Sequence, residues 1–511
     1  QAATTGKSAV DYVSPLLTYN TGLGKFFVNN RIVPTSNVVS LGSVVTSPTP
    51  PPIPNVGDLW YDTTSDTQFE YVYDGVNYQW VDVTGPTMSI GGPVSTNNFT
   101  YLPFTATANP TTTRNLNAGD PVNFSTFTSV TGGYTVYPYT YYIASGTLPI
   151  GLTLNPATGV VSGIAQRAYT TASVVFGVRD ILNFAATTSV TFNVVLNIQY
   201  LVVAGGGGGG ADRGSGGGAG GLRFGSVTCL SNGTTITIRV GAGGAPGVGP
   251  AGKGANGHSS NIVSSAFGTV STVGGGGGGS VNSGPAIPQN GFAGGSGGGA
   301  GGQPQAINPS SGTFGAGTFG AGTGFPGTLG STQQGFPGGL SGSNTPGAPP
   351  CGLYGAGGGG GAGAAGGNGI GPLRAGGAGG IGYLWPYTNS YYAGGGGGSF
   401  CSGGPTQPGI PGPGGLGGGG AGANSMINGT AGTPGTANFG GGGGGGAGSV
   451  PQGQGGVGGS GTVIIIIPTP AYFSGTTNGS VATTPPAAPG YTALTYSATN
   501  PTTPSVFIFT T

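Results

Sequence analysis

The sequence predicts an all-β protein with almost no α-helix: small β modules first, then a bundle of polyglycine-II helices, then a β-rich C-terminal segment. Three observations predict it. Short apolar runs alternate with polar residues and turn signals up to residue 198. Of the 121 glycines, 101 fall between residues 204 and 467. That glycine region is entered by "YLVVA" (Tyr200–Ala204) and left by "TVIIII" (Thr462–Ile467), two strand-length apolar runs that could pair.

Residues 1–56 form an expected attachment segment. It closes on "SPTPPPIPNVG" (Ser47–Gly57), whose prolines fix φ and withhold donors, as in a stiff spacer. Residues 57–87 read as a small aromatic β-meander: "LWYDT", "TQFEYVYD" and "NYQWVDV" are strands separated by acidic turns. This stretch holds six of the ten acids, Asp58, Asp62, Asp66, Glu70, Asp74 and Asp82. They are expected to cap turns and face solvent rather than to bind a metal.

Residues 88–198 carry strands with turn signals every few residues, the pattern of a β-sandwich. Within "SGTLPIGLTLNPATGVVSGIA", the residues Leu148, Pro149, Gly151, Leu152, Thr158, Gly159, Ser162 and Gly163 resemble the immunoglobulin-like, cadherin-like domains of bacterial and phage surface proteins. The resemblance implies a module that spaces or presents other domains.

Composition limits what the whole can be. Only 4% of the 511 residues are charged and the formal net charge is +1, so there is no footprint for nucleic acid or for a lipid surface. No stretch approaches the ~20 apolar residues of a membrane-spanning helix. Aromatic residues make up 9%, more than a disordered tract carries. The three cysteines, Cys229, Cys351 and Cys401, are far apart and form no metal or redox spacing.

Four structures could use the glycine of residues 199–467. Collagen needs an unbroken Gly-X-Y period, which is lacking. Calcium-binding β-roll repeats need acids, and none follows Asp212. A flexible linker is not expected to be punctuated by apolar strings such as "TTITIRV" and "GYLWPY". Polyglycine-II helices have three residues per turn and no internal hydrogen bonds, so packed helices can pair sideways. The runs Gly205–Gly210, Gly274–Gly279, Gly357–Gly361, Gly394–Gly398, Gly417–Gly420 and Gly440–Gly446 suit such a bundle. The order "QYLVVAGGGGGG", "GGLRFGSVTC", "TTITIRVGAGG", "GGSGTVIIIIP" is similar to the glycine-rich domain of tail-fibre and adhesin proteins of phages, marine and cyanobacterial ones in particular. That resemblance implies a homotrimeric protein of the virion surface. Its other partners would be tail or baseplate proteins and a host glycan or outer-membrane protein. Residues 468–511 add further strands and end in "SVFIFTT".

Little in the chain points to catalysis or to a cofactor. The single histidine, His258, has Ser259 and Ser260 beside it but no downstream acid to orient it, so a surface position is expected. Paired carboxylates for glycoside cleavage could come only from the small meander, which leaves a polysaccharide-cleaving tailspike as the minor alternative. A capsid fibre or extracellular filament subunit is the other alternative. The candidate receptor-binding residues lie in "PLRAGGAGGIGYLWPYTNSYYAGGGGG": Arg374, Tyr383, Trp385, Tyr387, Tyr391 and Tyr392. Aromatic rings on a rigid support contact a sugar face or a protein at low entropic cost, although the same rings could instead pack the side of the bundle. A Phe-bearing repeat, Ser311–Leu340, is a second candidate loop.

Overall fold

The computed structural model describes residues 17–20, 25–28, 31–32, 44–74, 76–82, 103–133, 138–166, 168–250, 252–281, 290–302, 334–342, 354–371, 373–401, 409–424, 429–448, 452–469, 481–484, 490–498 and 504–511. Among them there is no α-helix. The chain forms two compact units, residues 1–105 with 131–135, and residues 106–130 with 136–511.

The first unit contains a three-stranded sheet (Leu17–Asn20, Lys25–Val28, Arg31–Ile32) and a four-stranded one. The second sheet is the expected aromatic meander, Leu59–Asp62, Thr67–Tyr73 and Tyr78–Asp82, extended by Val45–Ser47. Val45–Ser47 pairs in parallel with Leu59–Asp62, so the proline-rich stretch is a crossover inside the sheet, not a spacer in front of it. Trp60 is its anchor: it stacks on Phe69 with ring centroids 5.0 Å apart, and its indole N–H donates to the Ser47 carbonyl at 2.9 Å. The acids cap turns. Asp62 accepts from the Ser65 hydroxyl at 2.7 Å and from the Thr64 N–H, and Asp74 from the N–H groups of Asn77 and Val76. These bonds hold both carboxyls below the usual carboxylate range.

In the second unit, Pro121–Ser125, Leu152–Leu154 and Val160–Ile164 make one small sheet. It faces a larger sheet through Phe124 and Phe192, 6.1 Å apart, over buried Val161, Val174, Phe176 and Val190. Gly151 of the Leu-Pro-Ile-Gly-Leu motif and Gly163 of the strand beside it have a steric role. Gly151 takes φ +90, and a Cβ on Gly163 would collide with the Gly151 carbonyl where the two strands cross closely.

The larger sheet is built on one 19-residue strand, Ala185–Val203. Its first half pairs with Tyr169–Arg179 and, in parallel, with Thr113–Asn117. Its last residues pair with Leu222–Leu230 on one side and with Thr462–Pro468 on the other. The expected closing pair is therefore formed, with Tyr200 opposite Ile465 and Val203 opposite Thr462. The expected boundary at 198/199 is crossed by this strand without a break. Even-numbered residues from Val194 to Val202 face a second sheet made of Gly268–Thr272, Ser260–Ser264, Thr235–Val240 and Ser505–Thr510. The C-terminal residues are structural parts of both layers: Tyr491–Ser497 pairs with Thr462–Pro468, and Ser505–Thr510 with Thr235–Val240.

Above these sheets stands the polyglycine-II bundle. Consecutive N–H groups of Gly205–Gly210 donate to His258, Gly459, Gly218, Ala255, Gly456 and Ser215. Partners recur every three residues, as a three-fold helix requires, and their numbers fall, so three neighbours run antiparallel. The carbonyls accept from Gly275, Gly244, Gly443, Gly278, Gly247 and Gly446, whose numbers rise, so three more run parallel. All twelve bonds measure 2.8–3.0 Å. Six neighbours around one helix is a hexagonal lattice, and Gly394–Ser399 and Gly441–Gly446 are likewise ringed by six.

Only glycine fits this spacing. A Cβ on Gly207 would land on the Gly276 carbonyl, and one on Gly209 on that of Gly444. No left-handed φ is involved at these positions; the demand is for room. Exposed pairing groups replace lattice partners at the rim, where the Gly277 N–H donates to the Asn256 side chain at 2.9 Å.

Candidate functional site

The lattice has two ends, and the candidate residues divide between them. Runs leave the sheets at Val203, Val240, Thr272 and Thr462 and turn at the far end. There the turn Ala211–Gly214 is bonded to Gly252, Gly453, Gly446, Gly302 and Ser399.

Five of the six candidates lie at the sheet end. Tyr383–Trp385 and Ser390–Tyr392 form a hairpin with Tyr383 opposite Tyr392. Trp385 is 1% exposed and Tyr392 7%. Both pack with Leu201, Val203, Leu222, Ile464 and Ile466 on the face of the central sheet that the second sheet does not cover. Tyr392 stacks on Phe439 at 5.4 Å, and Tyr383 on Phe224 at 5.0 Å. Burial raises the hydroxyl pKa of Tyr383, Tyr387 and Tyr392. Trp385 and Tyr392 are thus core residues that seat the hairpin. Tyr387 and Tyr391 stay half-buried with part of each ring open to solvent.

Arg374 alone is at the far end. It sits at φ 49 in the turn that links two lattice runs, with its carbonyl accepting from the Ile410 N–H. Around it are Ile370, Leu373 and Ile410, 45%, 67% and 66% exposed. Backbone bridges from Ala375 to Ile370 and to Ile410 set these two residues on either side of Ala375, with Leu373 in the turn between Ile370 and Ala375. Sequence reasoning missed them, because isolated aliphatic residues among glycines carry no pattern. Arg213 and Lys253 belong to the same end. Lys253 lies over the Phe292 ring at 4.8 Å, and burial lowers its pKa. Asp212 is buried, 3.9 Å from Arg213; burial raises its carboxyl pKa and the guanidinium offsets part of the rise.

His258 is exposed, and its backbone is part of a lattice run, not of a loop. Cys229 is an exposed free thiol; Cys351 lies outside the described residues, as does Ser311–Leu340 except for residues 334–340. Among the described residues no three of His, Cys, Asp and Glu come together as a metal site would require.

Comparison with curated proteins and with solved structures gives no match. A family model described as a glycine-rich domain matches residues 184–468. Those limits coincide with the start of the long strand at Ala185 and the end of its partner at Pro468. The match covers more than half of the chain, which therefore belongs to the glycine-rich domain family.

Proposed function

We propose that the chain is a non-catalytic structural and host-recognition component of a phage virion, a tail fibre or adhesin that acts outside the cell. The observation that carries this reading is the polarity of the lattice. One end is bonded into two packed sheets, while the other presents the turns around Asp212, Val248 and Leu373 from a support with almost no side chains to rearrange. Such a support presents its turns at low entropic cost on contact. The far end combines exposed Ile370, Leu373 and Ile410 with Arg213, Lys253 and Arg374, a surface suited to a partner with apolar and acidic groups.

The test is adsorption. Antibody raised to the purified chain should label the tail of particles that carry it, and the full chain should compete with those particles for host cells. Replacement of Leu373 and Ile410 by Ser should abolish competition without lowering thermal stability. Labelling of the capsid, or unimpaired competition by the double variant, would replace this reading with that of a purely structural fibre.

A further inference from the structure

A polar groove lies at the sheet end, away from the exposed turns. It consists of two hollows of about 490 and 260 Å3 that share Gln199 and Ser226 in their walls. The larger falls within the roughly 300–1,000 Å3 of sites for small ligands. Its floor is the odd-numbered face of the long strand, before that face disappears under the hairpin at Leu201.

The walls are held in place from behind. The Asn197 side chain accepts from the Cys229 N–H at 2.9 Å and donates to the Asn117 side chain at 2.9 Å. Asn117 in turn donates to Asp120 Oδ2 at 3.0 Å, and its own N–H donates to the same oxygen at 2.9 Å. Gly119, at φ +97, lets this turn press against Pro468, where a Cβ would collide. Other groups remain uncommitted. Among the described residues Asp120 Oδ1, the Gln199 carboxamide and the hydroxyls of Ser226 and Tyr491 take part in no hydrogen bond.

Two rings complete the groove. Tyr387 lines the smaller hollow and Tyr491 the larger, and they meet edge to face at 6.1 Å. Tyr491 is 41% exposed. Among the described residues the lining contains one carboxylate and no Lys, Arg or His.

We propose that this groove binds a neutral saccharide, with Tyr491 and Tyr387 against the apolar face of a sugar ring and Gln199, Asp120 and Ser226 bonded to its hydroxyls. Sugars offer an apolar C–H face and a rim of paired donors and acceptors, which is the chemistry presented here. The carboxylate without a cation disfavours acidic sugars and phosphate. The site extends the recognition role proposed above to a second place on the molecule and needs no contribution from the far-end turns.

The test uses the full chain and ligand-observed saturation-transfer NMR. The probes are trimers of glucose, galactose and N-acetylglucosamine, with a sialylated trisaccharide as the acidic arm. At least one neutral trimer should bind, and binding should weaken tenfold or more in Gln199→Ala and Tyr491→Ala, whose side chains no described hydrogen bond requires. Circular dichroism melting checks that both variants fold. Absence of binding by all neutral trimers, tighter binding of the acidic arm, or undiminished binding by the folded variants would overturn the proposal. L373S/I410S serves as the control that separates the two sites: it should keep saccharide binding and lose cell competition. Intact saccharide binding with lost competition in L373S/I410S supports two separate sites, whereas loss of saccharide binding in that folded variant would overturn the independence of the groove.

Discussion

At the scale of single residues, glycine here is selected by distance and not by backbone angle. Several buried alanines stand where a run begins or ends: Ala204, Ala211, Ala362, Ala393 and Ala447, each fully buried; Ala219 and Ala300 are buried within runs. At Gly209 one methyl group must displace a neighbouring carbonyl. Gly209→Ala is therefore expected to lower stability by about 1–3 kcal/mol or more, as overpacking does. Ala211→Gly, two residues further on, should cost much less. Urea melts of the two variants would show the contrast. Asp212 gives a pH signature. Its folded-state pKa lies above the ordinary 3.8, so the folded chain binds more protons at moderate acidity. This contribution to stability is fully present below pH 3.8 and is lost as the pH rises through the folded pKa. Asp212→Asn should flatten that fall, measured by melting temperature against pH.

At the scale of elements, the pairing of Ala185–Val203 with Thr462–Pro468 was legible, because two uninterrupted apolar runs bracketing a region of different composition need each other as partners. Both faces of that pair are covered, with Tyr200 and Ile465 on one side and Leu201 and Ile464 on the other. Ile465→Ala should cost about 2–5 kcal/mol, and Trp385→Ala about 3–5, from the cavities they leave. Equilibrium unfolding checks both, and a loss below 1 kcal/mol for Trp385 would show that the hairpin is not seated as described. The neighbours of each glycine run were not legible. Side chains specify register in a sheet, and a polyglycine run has none, so nothing local tells Gly205 that its partners are His258 and Gly275. The saccharide groove was hidden for another reason. Asn117, Asn197, Ser226 and Tyr491 are ordinary strand and turn residues until topology gathers them, and the aromatic cluster drew attention to rings of which two serve mainly as core.

For the larger unit as a whole, stability rests on backbone pairing to an unusual degree. The interior between the runs contains few apolar side chains, so hydrophobic burial is concentrated in the sheets while the bundle is held by its hydrogen-bond lattice. Amide exchange should reveal this. The N–H groups of Gly205–Gly210 are expected to exchange as slowly as those of the central strand, by global opening, despite lying in no helix or sheet. Exchange within minutes would mean that the lattice opens separately from the sheets.

The unbroken strand Ala185–Val203 also has a mechanical meaning. No loop lies in series between the module that begins the strand and the bundle that receives it, so tension passes along a single extended backbone as through a strut. Thr462–Pro468 and Leu222–Leu230 flank that strut lengthwise, and their rungs share a load applied along it instead of parting one after another. A pull applied along the chain would pass through this junction with little give, and the two modules would keep their relative heading under strain.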